Sequence, residues 1–135
     1  PEQFRYVENA DPMKSKQFAK GLDQLMDEGV AQMFTRQSDG RRIIGTVGQL
    51  QFEVIQHRLE SEYNAKCRYE PVSLHKACWI SSTDPKALQE FLDRRKRDIA
   101  RDSDGQLVFL AETAWVLQTA QENFPKILFH FTSEV

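Results

Sequence analysis

Two Asp-Pro pairs punctuate this chain, Asp11-Pro12 and Asp84-Pro85, and each is best satisfied as a helix start. Aspartate is a favoured N-cap. Proline at the first helical position loses nothing, because that N–H has no intrahelical partner in any case. In a helix interior or a central strand the same proline is costly. After the first pair, Phe18, Leu22, Leu25 and Met26 recur at three-and-four spacing as a single apolar stripe, and Gly29 ends it. After the second, Leu88, Phe91, Leu92 and Ile99 form a stripe of the same kind.

The rest of the chain falls into place around these two points. A short strand at 4–7 precedes the first helix. The β-prone runs 30–36 and 42–47 flank Ser38-Asp39-Gly40, a hairpin signal. A second helix is predicted over 49–63. Its apolar residues fill two neighbouring sectors, Leu50 and Val54 on one and Phe52, Ile55, Leu59 and Tyr63 on the other, so it is expected to be covered on more than one side. At 66–70, Lys66, Arg68 and Glu70 alternate with Cys67 and Tyr69, as in a half-buried strand. Strand, helix, strand, strand, helix, strand is the split β-α-β order of ferredoxin-like folds, which host many unrelated functions.

The second half is expected to repeat this vocabulary without the order. A strand at 75–80 leads to the helix from Asp84. Then come a turn at Ser103-Asp104-Gly105, an unbroken apolar strand at 107–110, a helix at 114–123 ended by Pro125, and a last strand at 127–131. No low-complexity linker separates the halves. The expected fold is α+β: a single domain over 1–135, with a two-layer ferredoxin-like β-α-β-β-α-β core at 4–70 and a β-α-β-α-β extension at 74–132 packed into the same body.

Lys and Arg sum to 18 against 20 Asp and Glu, a net charge of −2, which excludes a generic polycation for DNA or membrane. Any nucleic-acid contact must be a local patch. No apolar run approaches the roughly 18 residues of a membrane span, and the N-terminus has no signal-peptide pattern. Cys67 and Cys78 form no metal-ligand cluster with His57, His75 and His130, and read as reduced, partly buried thiols of a cytoplasmic protein. The chain starts at Pro1 without a methionine, and it is read as a piece of something longer.

Gly45-Thr46-Val47-Gly48 lies between a strand and a helix, where a phosphate cradle would be placed. It lacks the lysine and spacing of a P-loop; a tight turn with close packing is the simpler reading. The most basic stretch is Asp93 to Arg97 with Arg101. Arg94, Arg97 and Arg101 share one helix face by spacing, a row that can track phosphates. Set against this, Glu90–Arg94 and Asp93–Arg97 are ordinary i,i+4 pairs on a solvated helix. Arg41 and Arg42 at the hairpin are the next candidates. Glu60 and Glu62 point to different sides of their helix, no serine or cysteine sits in a nucleophile elbow, and Trp79 and Trp115 are expected to fill core or inter-element space. No catalytic residue, cofactor site or metal site is expected.

Several separated blocks carry a likeness. KGLDQLMDEGVAQMF at 20–34, IGTVGQLQFEVI at 44–55 and RLESEY at 58–63 resemble the third domain of bacterial peptide chain release factor three, a translational GTPase of termination, and are more distantly similar to the third domain of elongation factor G. VFLA at 108–111, WVLQTAQ at 115–121 and FPKILFHFT at 124–132 resemble that release factor's own extension. The resemblance implies a parent with a GTP-binding domain and a β-barrel domain ahead of this one, monomeric, acting on the ribosome after a class I release factor has freed the peptide, and helping that factor leave. This domain would then lie against the small subunit, near ribosomal protein S twelve and ribosomal RNA. GTP or GDP would belong to the absent domain, leaving this chain as a non-catalytic docking module.

Two other classes compete. A stand-alone ferredoxin-like module binding RNA or a metabolite predicts that 1–135 is a whole gene product. An acyl-phosphate hydrolase needs an arginine-bearing loop after the first strand, where Glu8-Asn9-Ala10-Asp11 would instead repel phosphate.

Overall fold

A computed structural model describes residues 1–133; the last two positions of the predicted 1–135 domain lie outside them. The described residues form four α-helices and eight strands, an α+β architecture in two compact units.

The first unit comprises Pro1–Phe34 and Arg41–Val72. Its elements are β1 (Gln3–Asn9), α1 (Ser15–Asp27), β2 (Gln32–Arg36), β3 (Arg42–Thr46), α2 (Leu50–Tyr63) and β4 (Cys67–Pro71), in the expected β-α-β-β-α-β order. Asp11 caps as predicted, accepting from the Met13 amide, but Pro12–Lys14 closes a 3-10 turn before α1 begins at Ser15. Gly29 ends α1 at φ +79°, a conformation that costs a side chain dearly. The strand order is β4-β1-β3-β2, with β1 antiparallel to both neighbours; Phe4 faces Gly45 and Val7 faces Arg42 and Tyr69. One sheet face sends Val7, Met33 and Ile44 into a core with Phe18, Leu22 and Leu25 of α1 and with Phe52, Ile55 and Leu59 of α2. On the other face Phe4, Phe34 and Ile43 are also buried.

The second unit comprises Thr35–Gly40 and Ser73–Val135, of which 134–135 are not described. Here β5 (Lys76–Ser81), α3 (Pro85–Arg94), β6 (Ile99–Arg101), β7 (Leu107–Ala111), α4 (Ala114–Asn123) and β8 (Leu128–His130) again run β-α-β-β-α-β. The strand order is β6-β7-β5-β8. Numbered within each unit, both strand orders read 4-1-3-2. The expected β-α-β-α-β extension is therefore corrected: the second half repeats the order of the first. The missing strand is β6, which the sequence reading absorbed into the preceding helix because Ile99 continued its apolar stripe. The helix in fact stops at Arg94, Lys96–Asp98 forms a 3-10 turn, and β6 pairs antiparallel with β7 and with Thr35 and Arg36 of β2. Asp84 caps α3 by accepting from the Lys86 and Ala87 amides. The core beneath the helices gathers Phe91, Phe109, Phe124 and Phe129, whose rings meet edge to face. Trp79 is buried as expected, and its indole N–H donates to Asp102 Oδ2 at 2.8 Å.

Candidate functional site

The basic segment of the second unit is not a helical row. Arg94 lies on the last turn of α3, Arg97 in the 3-10 turn and Arg101 at the end of β6, so the shared helix face predicted for the three is corrected. The helix break redistributes them. Arg94 is largely exposed, with one long contact to Glu90 at 3.4 Å. Arg95 folds back, its guanidinium 5.7 Å from the Phe109 ring centre and 3.8 Å from Asp98. Arg101 donates to the Gly105 carbonyl at 2.6 Å and ties the β6–β7 hairpin. The cations left pointing to solvent are Arg94, Lys96 and Arg97. Beside them Lys96, Gln89, Leu92 and Asp93 line an open cleft of about 330 Å³ with Gln37, Ser38 and Ile99. Asp98 is held above its ordinary pKa, first by burial and then by the charge of Glu112, while Arg95, Arg36 and Arg97 oppose this.

The hairpin arginines of the first unit are engaged. Arg41 bridges Glu8 and Glu70, each at 2.7 Å, and its guanidinium lies 3.6 Å from the Tyr6 ring centre. It clamps β1 and β4 beside the start of β3. Arg42, one residue on, sits 5.6 Å from the ring of Phe18.

Such ion pairs contribute to stability on the acid side. The hydrogen bond from Arg41 holds the Glu8 carboxyl below its usual range, Arg58 does the same for Glu62, and Lys126 with the Ala87 and Lys86 amides does so for Asp84. A depressed folded-state pKa stabilises the fold above the unfolded value, and that contribution is lost as pH falls through the folded one. Asp98 contributes with the opposite sign. With three depressed carboxyls against one raised, urea midpoints are expected to fall below about pH 4.5, and an Arg41→Met chain to lose less on acidification than the parent. Equal acid limbs in the two would show that the clamp contributes nothing.

The Gly45–Gly48 loop is closed to anions by its own chain. Val47 and Gly48 N–H both donate to Gln51 Oε1, at 2.8 and 2.9 Å, and Gln51 Nε2 donates onward to the Val30 carbonyl. This is the backward-reaching half of a capping box, and the tight-turn reading holds. A Cβ on Gly45 would meet the Pro1 ring at 2.8 Å, which is the close packing predicted there. Cys67 and Cys78 are free and buried; burial raises both thiols, Cys78 to about 12. Among the described residues no three His, Cys, Asp or Glu side chains are grouped to hold a metal ion, and no helix is long and apolar enough to cross a membrane.

Two surface features escaped the sequence reading. Trp115, expected to fill core or inter-element space, is 71% exposed on the first turn of α4. The expected two-sided cover of α2 is also corrected: Phe52, Ile55 and Leu59 are buried, but Leu50 is 72% and Val54 46% exposed, with Val47 beside them at 69%. Periodicity reports which residues are apolar and share a face; it does not report whether anything covers that face.

The described residues thus offer a basic turn and an apolar patch. The profile of the family described as class II release factor RF3, C-terminal domain, matches residues 1–121, nine-tenths of the chain. The chain belongs to this family. It is a release-factor domain, and its place is the termination stage of protein synthesis. The matched residues run through all of the first β-α-β-β-α-β set and through the second as far as α4. β8 and the FPKILFHFT block lie beyond the match.

Proposed function

We propose that this release-factor domain docks the ribosome on behalf of a parent GTPase that promotes departure of class I release factors after peptide release. The family match carries the reading. The charge distribution supports it: in a chain of net charge −2, the exposed cations Arg94, Lys96 and Arg97 stand close together in sequence, as phosphate contact by a local patch requires. The domain contributes binding and transmits motion, while nucleotide chemistry belongs to the GTP-binding domain of the parent, so this chain needs no cofactor of its own. Its partners are the small subunit, with ribosomal protein S twelve and neighbouring RNA, the class I factor on the same ribosome, and the parent's GTPase and β-barrel domains, all in the cytoplasm. Arg94 and Arg97 are the foremost contacts and Arg101 the next. Arg41 and Arg42 rank last because their guanidiniums are already engaged within the first unit.

The test is sedimentation of the full-length factor with ribosomes across a salt series. Arg94→Glu with Arg97→Glu is expected to weaken binding about tenfold or more. The salt slope should shrink by roughly 0.7 to 0.9 for each phosphate that is no longer neutralised. Unchanged affinity and slope would remove these residues from the interface.

A further inference from the structure

We infer that the exposed apolar patch of Val47, Leu50 and Val54 seats the segment of the parent chain that immediately precedes Pro1. Leu50 and Val54, four residues apart, share one side of the first turns of α2, and Val47 stands exposed in the loop just ahead of them, where Gly48 has open space at the place of a Cβ. The loop asks for no polar ligand. Its amides are taken by Gln51, and the Gly48 carbonyl accepts from Thr46 Oγ1 at 2.9 Å. What it presents outward is apolar surface, and that surface gains by being covered.

The occupant is identified by where the chain enters. Family membership makes this a C-terminal domain, so the parent continues ahead of Pro1. The Glu2 N–H donates to the Thr46 carbonyl at 2.8 Å, and the Pro1 ring packs on Gly45. Gln3 stands opposite Thr46 in the antiparallel pair; one further step of that register sets Glu2 opposite Val47. The entering chain therefore passes the loop that carries the patch. A short tether holds the preceding segment there at an effective concentration of about millimolar, well ahead of any partner in trans.

The inference rests on family membership and is independent of ribosome docking, so its test uses the full-length factor without ribosomes. A thiol is introduced by Leu50→Cys and, as reference, by Met13→Cys, at a position that is 86% exposed; Cys67 and Cys78 of this domain are buried and do not compete, and cysteines elsewhere in the factor are first replaced by serine. Maleimide labelling at position 50 is expected to be at least tenfold slower than at position 13, independent of protein concentration. A bifunctional cross-linker from position 50 should land ahead of Pro1. Rates within twofold of each other overturn the inference. So does slowing that grows with concentration, which would assign the patch to a second copy, or a cross-link confined to other parts of the chain.

Discussion

Phe91→Ala is expected to cost about 3–5 kcal/mol, among the largest losses expected from a single truncation in the second unit. Phe91 is fully buried on α3 and meets three rings edge to face: Phe109 of β7 at 5.2 Å, Phe129 of β8 at 5.7 Å and Phe124, just after α4, at 4.9 Å between centres. Truncation removes transfer free energy, leaves a cavity between a helix and two strands, and forfeits three quadrupole-favourable ring pairs at once. The surrounding rings cannot collapse into the space, because Phe109 and Phe129 already meet each other at 6.2 Å. Phe91→Leu keeps most of the volume and is expected to cost about 1–1.5 kcal/mol. Urea denaturation followed by Trp79 emission, in a Trp115→Phe background, reads the effect where it occurs. A loss below about 1 kcal/mol for Phe91→Ala would mean that the four rings are not a structural centre.

What the sequence revealed and what it concealed divides along physical lines. Asp11 and Asp84 announced their helices because capping is a local event, completed within three residues of the aspartate. The hairpin at Ser38-Asp39-Gly40 was legible for the same reason. β6 was not. Three residues long, it exists through pairing with Arg36 and Thr35, more than sixty positions earlier, and with β7. Nothing local distinguishes Ile99 in that strand from an Ile one turn further along α3. Because Arg97 and Arg101 lie beyond the break, misplacing β6 also produced an arginine row that does not exist. The spacing argument that linked them depended on an uninterrupted helix. Gln51 offered a signal that was not used: a glutamine three residues after Gly48 is placed to reach back to that amide. Trp115 and Leu50 carried no such signal, since an apolar side chain left exposed for a partner has the same composition as one buried in its own fold.

Gly21→Val is expected to be the most damaging single substitution at the helix pair of the first unit, costing about 2–3 kcal/mol. Gly21 is buried on the face of α1 that meets α2. A Cβ there would come within 2.7 Å of Leu59 Cδ2 and 2.9 Å of the Tyr63 ring. The glycine is therefore required by the proximity of two helices, with no unusual backbone angle involved. Leu59 is fully buried and has nowhere to retreat. Tyr63 is less confined, but its hydroxyl donates to Gln24 on α1, so swinging the ring away breaks that bond. Gly21→Ala sets about 1 kcal/mol of gained helix propensity against the same first clash, and its cost should be correspondingly smaller. Gly48→Ala is the control: nothing lies within 4 Å of the added carbon and φ is not positive, so a change within about 0.5 kcal/mol is expected. Urea midpoints for the three variants rank the idea directly. If Gly21→Val were as mild as Gly48→Ala, the two helices would have room to separate, and close approach would not be what keeps a glycine at position 21.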